Sequence, residues 1–174
     1  SLVVLGNSLL VGLITTVICL LIGYPVAYIL SKYSSGKILV LLFVLPMWVN
    51  FLIRTLATKA VFVAMGVELG MGTVIFGMVY NYLPFMILPL HTVISSIDKS
   101  YIEAAEDLGA DKSNVFLKTI LPLSVSGIIS GITMVFIPTI STYAISQLLS
   151  NGTIFLFGDS IQMKFEQGLY GVGS

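Results

Sequence analysis

The sequence predicts an all-α integral membrane protein, a polytopic helix bundle with at least four spans in 174 residues. Three observations carry that expectation. Only 9% of the residues are charged, where a soluble domain carries about 25%. Apolar residues make up 57% of the chain, for a mean hydropathy of +1.05. All eight basic and eight acidic residues fall outside four charge-free runs, 1–31, 38–53, 69–97 and 119–158. Three of these runs exceed the roughly 18 uncharged apolar residues that mark a spanning helix. An ordinary cytosolic enzyme is excluded. Zero net charge gives no bulk attraction to nucleic acid. The lone Cys19 and lone His91 make neither an intrachain disulfide nor a metal-ligand spacing.

The elements follow in order. A first span over 2–30 is longer than a hydrocarbon core of about 30 Å requires, so it tilts or kinks, with Gly23-Tyr24-Pro25 as the expected place. Run 38–53 is short, and is read as a span over 37–58 in which Lys37 and Arg54 snorkel and the helix continues past Arg54. The third span is placed at 72–94, with kinks at Pro84 and Pro89. Run 119–158 is too long for one span. Pro138 and the Asn151-Gly152 turn signal divide it into a fourth span at 121–143 and an outer or re-entrant segment over 147–170. Within the fourth span Gly127-Ile-Ile-Ser-Gly131 is a GxxxG pattern, favoured as an intrachain helix contact over a dimerisation signal. The first run has no basic flank and is too long for a signal peptide. The abrupt start at Ser1 and the plain 171–174 end read as a piece of a longer chain forming a single transmembrane domain.

Lys32, Lys37, Lys99, Lys112 and Lys118 lie on one side of this topology, and Arg54, Lys59 and Lys164 on the other. The excess places 31–37 and 98–118 in the cytoplasm.

Residues 98–118 are the one hydrophilic segment. Ser100 and Glu103 have capping-box spacing, which predicts a helix starting at Tyr101. Tyr101, Ala104, Ala105 and Leu108 would share one face, and Glu103, Glu106 and Asp107 another. Gly109 would end this helix as its C′ residue. Asp111 would cap a second short helix carrying Val115, Phe116 and Ile120, before Leu121-Pro122 turns into the membrane. Two short helices with a sharp bend suit docking of a partner protein. An alternative, a helix pair lying on lipid headgroups, calls for a basic polar face, and this one is acidic.

Glu103-Ala104-Ala105, then Gly109, then Thr119-Ile120-Leu121-Pro122 resembles the EAA loop of membrane subunits of bacterial ATP-binding-cassette importers, with Thr119 where that pattern has Ile. The resemblance implies a type I importer permease fold and a cytoplasmic coupling loop over 98–120. Its ATPase-coupling residues would be Glu103, Ala104, Ala105, Leu108, Gly109, Ala110, Phe116, Leu121 and Pro122. The blocks Asn7-Ser-Leu-Leu, Gly23-Tyr-Pro-Val-Ala-Tyr28, Leu45-Pro-Met-Trp-Val-Asn50 with Arg54, and Gly77 through Met86 resemble the permeases of spermidine/putrescine importers. That likeness implies a multi-pass protein of the bacterial inner (plasma) membrane, moving a polyamine. It implies as partners a cytoplasmic ATPase, a second permease, an extracellular or periplasmic substrate-binding protein and the bilayer. The connection between Thr55 and Gly72 is shorter than the family's external loop, and the family carries a further span at each end.

Two absences bear on mechanism. No charge lies within the charge-free runs, so no proton or ion relay of a secondary transporter is visible. No G-x4-G-K-[ST] loop occurs either. The chain is therefore expected not to be an enzyme and to hold no cofactor of its own, with ATP and Mg belonging to the partner ATPase.

For the cargo path the candidates are Trp48, Tyr80, Asn81, Tyr82 and Tyr143, with Asp159 and Glu166 on the outer side. Trp48 is eleven residues from Lys37, about 16 Å along a continuous helix and so near the midplane. Aromatic faces suit ammonium groups, although the same residues also suit helix–helix contacts. Arg54 and Lys59 oppose a cationic path unless they face away or pair with Glu68. Three alternatives stay open: a permease for another small solute, a secondary transporter or channel, and a non-transporting assembly or scaffold protein that docks a cytoplasmic partner.

Overall fold

The computed structural model describes residues 2–33, 35–142, 144–150, 152 and 154–168. Helix α1 (Leu2–Ser31) runs through Pro25 without a break. A turn leads into α2 (Gly36–Val44), followed by a 3₁₀ turn (Leu45–Trp48) and α3 (Phe51–Ala64). Helix α4 (Met71–Ser95) contains Pro84 and Pro89. The short helices α5 (Lys99–Asp107) and α6 (Lys112–Val115) come next. A π-helical turn (Phe116–Ile120) and the single turn α7 (Leu121–Leu123) lead to α8 (Val125–Ser141), then α9 (Ala144–Ser150) and α10 (Phe157–Glu166). No strand occurs among the described residues. Helices α1 and α4 are each long and apolar enough to cross a membrane, and two bent helix pairs bring the number to four if each pair is one span.

Burial in α1 is inverted relative to a soluble helix. Its buried stripe is mostly small or polar: Ser8, Gly12, Thr15, Thr16, Cys19, Gly23 and Ala27, with Val11 and Tyr24 as the larger members. Its exposed face carries Leu9, Leu10, Leu13, Val17 and Leu21. Lipid tails are as apolar as leucine, so helices in a bilayer associate through close packing of small residues rather than by hiding leucines. The same logic governs α8, whose buried positions Gly127, Gly131, Val135 and Thr139 recur every fourth residue.

Helices α1, α4 and α8 pack on one another as the centre of the bundle. Met86 of α4 is fully buried, and it wedges between two glycines. A Cβ at Gly23 would lie 3.1 Å from Met86 Cγ, and one at Gly131 would lie 2.5 Å from its Sδ. A Cβ at Gly127 would meet Val93 at 2.9 Å and the Pro89 carbonyl oxygen at 3.1 Å. The GxxxG pattern is thus an intrachain contact between α8 and α4. A second cluster of Val11, Val74, Met78, Ile145, Leu149 and Leu156 holds α9 and the start of α10 against the other end of α1 and α4.

Two spans are bent, the second unexpectedly and the fourth beside the Leu121-Pro122 turn that the sequence predicts. Residues 37–58 form two helices meeting at 89°. Pro46 opens the 3₁₀ turn with no N–H to give. Val49 and Asn50 are extended, and the Asn50 side-chain oxygen accepts from Leu52 N at 2.9 Å to start α3 afresh. At the fourth span the segment Lys112–Leu123 meets α8 at 64°. Pro122 lacks the N–H that would bond to the Lys118 carbonyl, and its ring crowds that carbonyl, so the preceding turn widens to π geometry with Leu121 N bonded to the Phe116 oxygen. Pro138, expected to divide run 119–158, sits inside α8, which ends at the extended residue Thr142. Asn151, the other divider, lies outside the described residues, as do 169–170 of the outer segment.

Gly127→Leu should lower the thermal midpoint of the detergent-solubilised protein, as expected from overpacking that costs about 1–3 kcal/mol. Gly6→Leu should leave the midpoint unchanged, because nothing lies within 4 Å of a Cβ there.

Candidate functional site

The hydrophilic segment folds as a hairpin of two short helices between α4 and α8. Its first helix starts earlier than the capping box predicts. Asp98, in extended backbone, accepts from Ser100 N at 2.9 Å and is the N-cap, while Ser100 is already helical. The Ser100 backbone N–H holds the Asp98 carboxyl below its ordinary pKa. Ile102 and Ala105 pack inward against the main core. Tyr101, Ala104 and Leu108, at i, i+3 and i+7, are exposed with Glu103 and Asp107, while Glu106 shares the Lys99 and Ile102 side. The expected division into an apolar and an acidic face is therefore shifted. The hidden apolar positions are Ile102 and Ala105, and the outward surface mixes acid with an unpartnered apolar stripe.

Gly109 ends α5. Its φ is +85°, the left-handed region that L residues with a Cβ avoid. Ala110 N donates to the Ala105 oxygen at 3.1 Å and Gly109 N to the Glu106 oxygen at 2.9 Å, the paired bonds of a Schellman end. Nothing lies within 4 Å of a Cβ at Gly109, so the backbone demands this glycine and space does not. The turn leaves Leu108 89% exposed at the tip. Beside it is a recess of about 280 Å³ between Ala105, Leu108, Gly109 and Ala110 and, across the turn, Asn114, Lys118 and Thr119.

Asp111 caps the second helix, accepting from Asn114 N at 3.1 Å and from Asn114 Nδ2 at 2.6 Å. Phe116, expected among the docking residues, is turned away from the recess. Its ring stands edge-on to Tyr24 at 5.6 Å and Tyr28 at 5.4 Å. Tyr24 OH and Ser124 Oγ are 2.7 Å apart, so the base of the hairpin is tied to α1. Leu121 is half-buried and Pro122 exposed. Glu103, Ala104, Leu108 and Gly109 share the accessible surface, with Ala105 and Ala110 half-buried beside them.

The cargo-path candidates are dispersed. Trp48 closes the 3₁₀ turn at the 89° corner and is 84% exposed. The continuous helix that put it near the midplane does not form. Tyr80 is 43% exposed, with the Arg54 guanidinium 5.8 Å from its ring centroid. Asn81 is buried and donates from Nδ2 to the Gly77 oxygen at 2.8 Å, while its Oδ1 has no partner. Tyr82 is half-buried beside Phe85, ring centroids 6.2 Å apart. Consecutive helical residues point about 100° apart, so these three cannot line one wall. Tyr143 lies outside the described residues.

Asp159 is fully buried, not displayed to a polycation. Its Oδ2 accepts from Ser146 Oγ at 2.6 Å and Leu156 N at 2.7 Å, which caps α10. Burial pushes its pKa up against those two bonds. Glu166 is exposed and accepts from Gln162 Nε2 at 3.2 Å. Sequence reading missed Asp98, Ile102 and the capping role of Asp159. An acid three residues after an N-cap position, as in Leu156 to Asp159, was the available signal.

The family model of the binding-protein-dependent transport system inner membrane component matches residues 4–170. The chain is 39% identical, over 181 aligned positions, to the spermidine/putrescine transport system permease protein PotB of Haemophilus influenzae, covering 93% of this chain and 63% of that protein. It is 36% identical to PotB of Escherichia coli K12, covering 93% and 66%, and 31% identical to the PotB homolog of Mycoplasma genitalium, covering 79% and 53%. The chain thus spans less than two thirds of the length of these relatives. A bundle of membrane-length helices joined through a polar hairpin, with a family match over nearly all of it, leads to one conclusion: this chain belongs to the binding-protein-dependent transport system inner membrane components.

Proposed function

We propose that this chain is the membrane-spanning core of a permease that imports a polyamine, powered by ATP hydrolysis on a separate cytoplasmic ATPase. The observation that carries this reading is the outward apolar stripe of Tyr101, Ala104 and Leu108, ending at a glycine-locked tip beside a recess. An exposed leucine on a hairpin with its own capping at both ends suits insertion into a cleft of another protein. Energy supplied there reaches the bundle through Phe116 and its two tyrosines on α1. ATP and Mg reside on the partner ATPase, and this chain itself is a transport subunit, not an enzyme. A second permease and an external substrate-binding protein complete the complex. The hairpin faces the cytoplasm, in line with the excess of lysines on its side.

Polyamine cargo is supported by the likeness to PotB proteins and by the accessible aromatic face of Trp48, with Tyr80 a further candidate if Arg54 leaves its ring. Tyr143 and Glu166 stay as candidates of the outer path. Asn81 offers an unpartnered carbonyl oxygen, Tyr82 a half-buried ring, and Asp159 serves only if α10 shifts.

The test is co-purification of the full-length protein with its ATPase. Gly109→Val should abolish recovery of the ATPase while the protein still inserts. Gly109→Asn should keep most of it, because Asn tolerates the left-handed conformation. Equal recovery from all three proteins would defeat the docking assignment.

Asp98→Asn should preserve protection of α5 amides from hydrogen exchange, and Asp98→Ala should lose it, since Asn caps as well as Asp and Ala does not. The Asp98 pKa is depressed in the fold, so its contribution is present above the unfolded value of about 3.9 and lost as pH falls through the lower folded value. Protection should therefore hold at neutral pH and fail only in acid.

Trp48→Ala and Tyr80→Ala should each raise KM for spermidine uptake, with Trp48→Phe intermediate. Loss of a cation–π contact of about 0.5–2 kcal/mol corresponds to roughly 2- to 30-fold. An unchanged KM in both would remove these residues from the path.

A further inference from the structure

A cavity of about 690 Å³ opens behind the hairpin, on the side away from Leu108 and Gly109. It lies between α5, α6 and the π turn on one side and the ends of α1 and α4 on the other. Its lining has two chemistries. Ile94 and Ile120 are buried apolar walls, and Lys32, Lys99 and Lys112 are exposed cations that share the same cavity. Glu106 is the sole acid lining it among the described residues, which leaves two positive charges in excess. The Lys32 Nζ lies 4.2 Å from the Tyr28 ring centroid.

A freely hydrated anion would match the lysines and leave the isoleucine walls wet. A hydrocarbon would match the walls and leave two of the three ammonium charges without a counter-charge. An anion joined to hydrocarbon satisfies both. The cavity sits where the two membrane-length helices end, α1 at Ser31 and α4 at Ser95, and helices of that length end near the headgroups of a bilayer they cross. Basic pockets between spanning helices at that level suit acidic lipid headgroups.

We propose that this cavity binds an anionic phospholipid from the leaflet beside the hairpin. Its phosphate sits among Lys32, Lys99 and Lys112, and its first acyl carbons lie against Ile94 and Ile120. The lipid would bridge the hairpin to both spans and stiffen the connection between them. This inference is independent of the cargo. Free phosphate shares the headgroup chemistry but has nothing to place against the apolar walls.

The test uses the full-length permease reconstituted in nanodiscs of phosphatidylethanolamine with phosphatidylglycerol as the minor lipid, followed by detergent washing and measurement of retained lipid. Wild type should retain phosphatidylglycerol over phosphatidylethanolamine. Each of Lys32→Gln, Lys99→Gln and Lys112→Gln should cut that enrichment about fivefold. Glu106→Gln should raise it, a gain that a misfolded protein would not give. Equal retention of the two lipids, or retention unaffected by the lysine variants, would overturn the proposal. Displacement by millimolar inorganic phosphate would assign the cavity to a free anion instead. Loss of the lipid whenever the ATPase binds would assign it to the protein partner.

Discussion

The bundle depends on how closely α1, α4 and α8 approach at Met86. A methyl group at Gly23 of α1 or at Gly131 of α8 would press on that side chain, at 3.1 Å from its Cγ and 2.5 Å from its Sδ. In lipid, burial of leucine drives nothing, because the tails it would leave are equally apolar. Contact therefore has to come from dispersion between closely fitted surfaces, and small residues are what permit it. The seam continues along α8 through Gly127, which meets Val93 and the Pro89 carbonyl. Through this seam the end of α4 and the start of α8 are set side by side, and the hairpin between them acquires a defined base.

From that base the hairpin divides its residues by direction. Ile102, Ala105 and Phe116 face the bundle, and Tyr101, Ala104 and Leu108 face away from it. Capping by Asp98 and Asp111, with the left-handed Gly109 between them, sets the bend locally. A short helix pair of this kind is marginal alone. It is held by its caps and by the Phe116 contacts with Tyr24 and Tyr28. The hairpin thus has a short, packed connection to α1.

Much of this was legible in the sequence, and the reasons for the exceptions are specific. Charge-free runs located the long helices α1 and α4 because composition alone marks them. Gly109 and Asp111 were readable because their roles are local: a left-handed turn and a side-chain cap. The 89° corner was missed because hydropathy is blind to Pro46 and Asn50, which are uncharged and break a helix through the backbone. Pro138 misled in the other direction, since a proline can sit within a packed helix when neighbouring helices hold it. Trp48 inherited the error at the corner. Asp159 was read by its charge, when its burial and its place three residues beyond Leu156 make it a cap. Family likeness singled out the hairpin segment. Which of its residues face outward came only from the three-dimensional packing.

The central claim is that Leu108 at the hairpin tip enters a cleft on a cytoplasmic ATPase. The native Cys19 is buried, so a cysteine introduced by Leu108→Cys would be the accessible thiol in the described region. Labelling that thiol with a water-soluble maleimide, in membranes with and without the ATPase, tests the claim directly. Protection by the ATPase, together with a crosslink from position 108 to it, is the predicted result. Equally fast labelling in both membranes, with no crosslink, would contradict it.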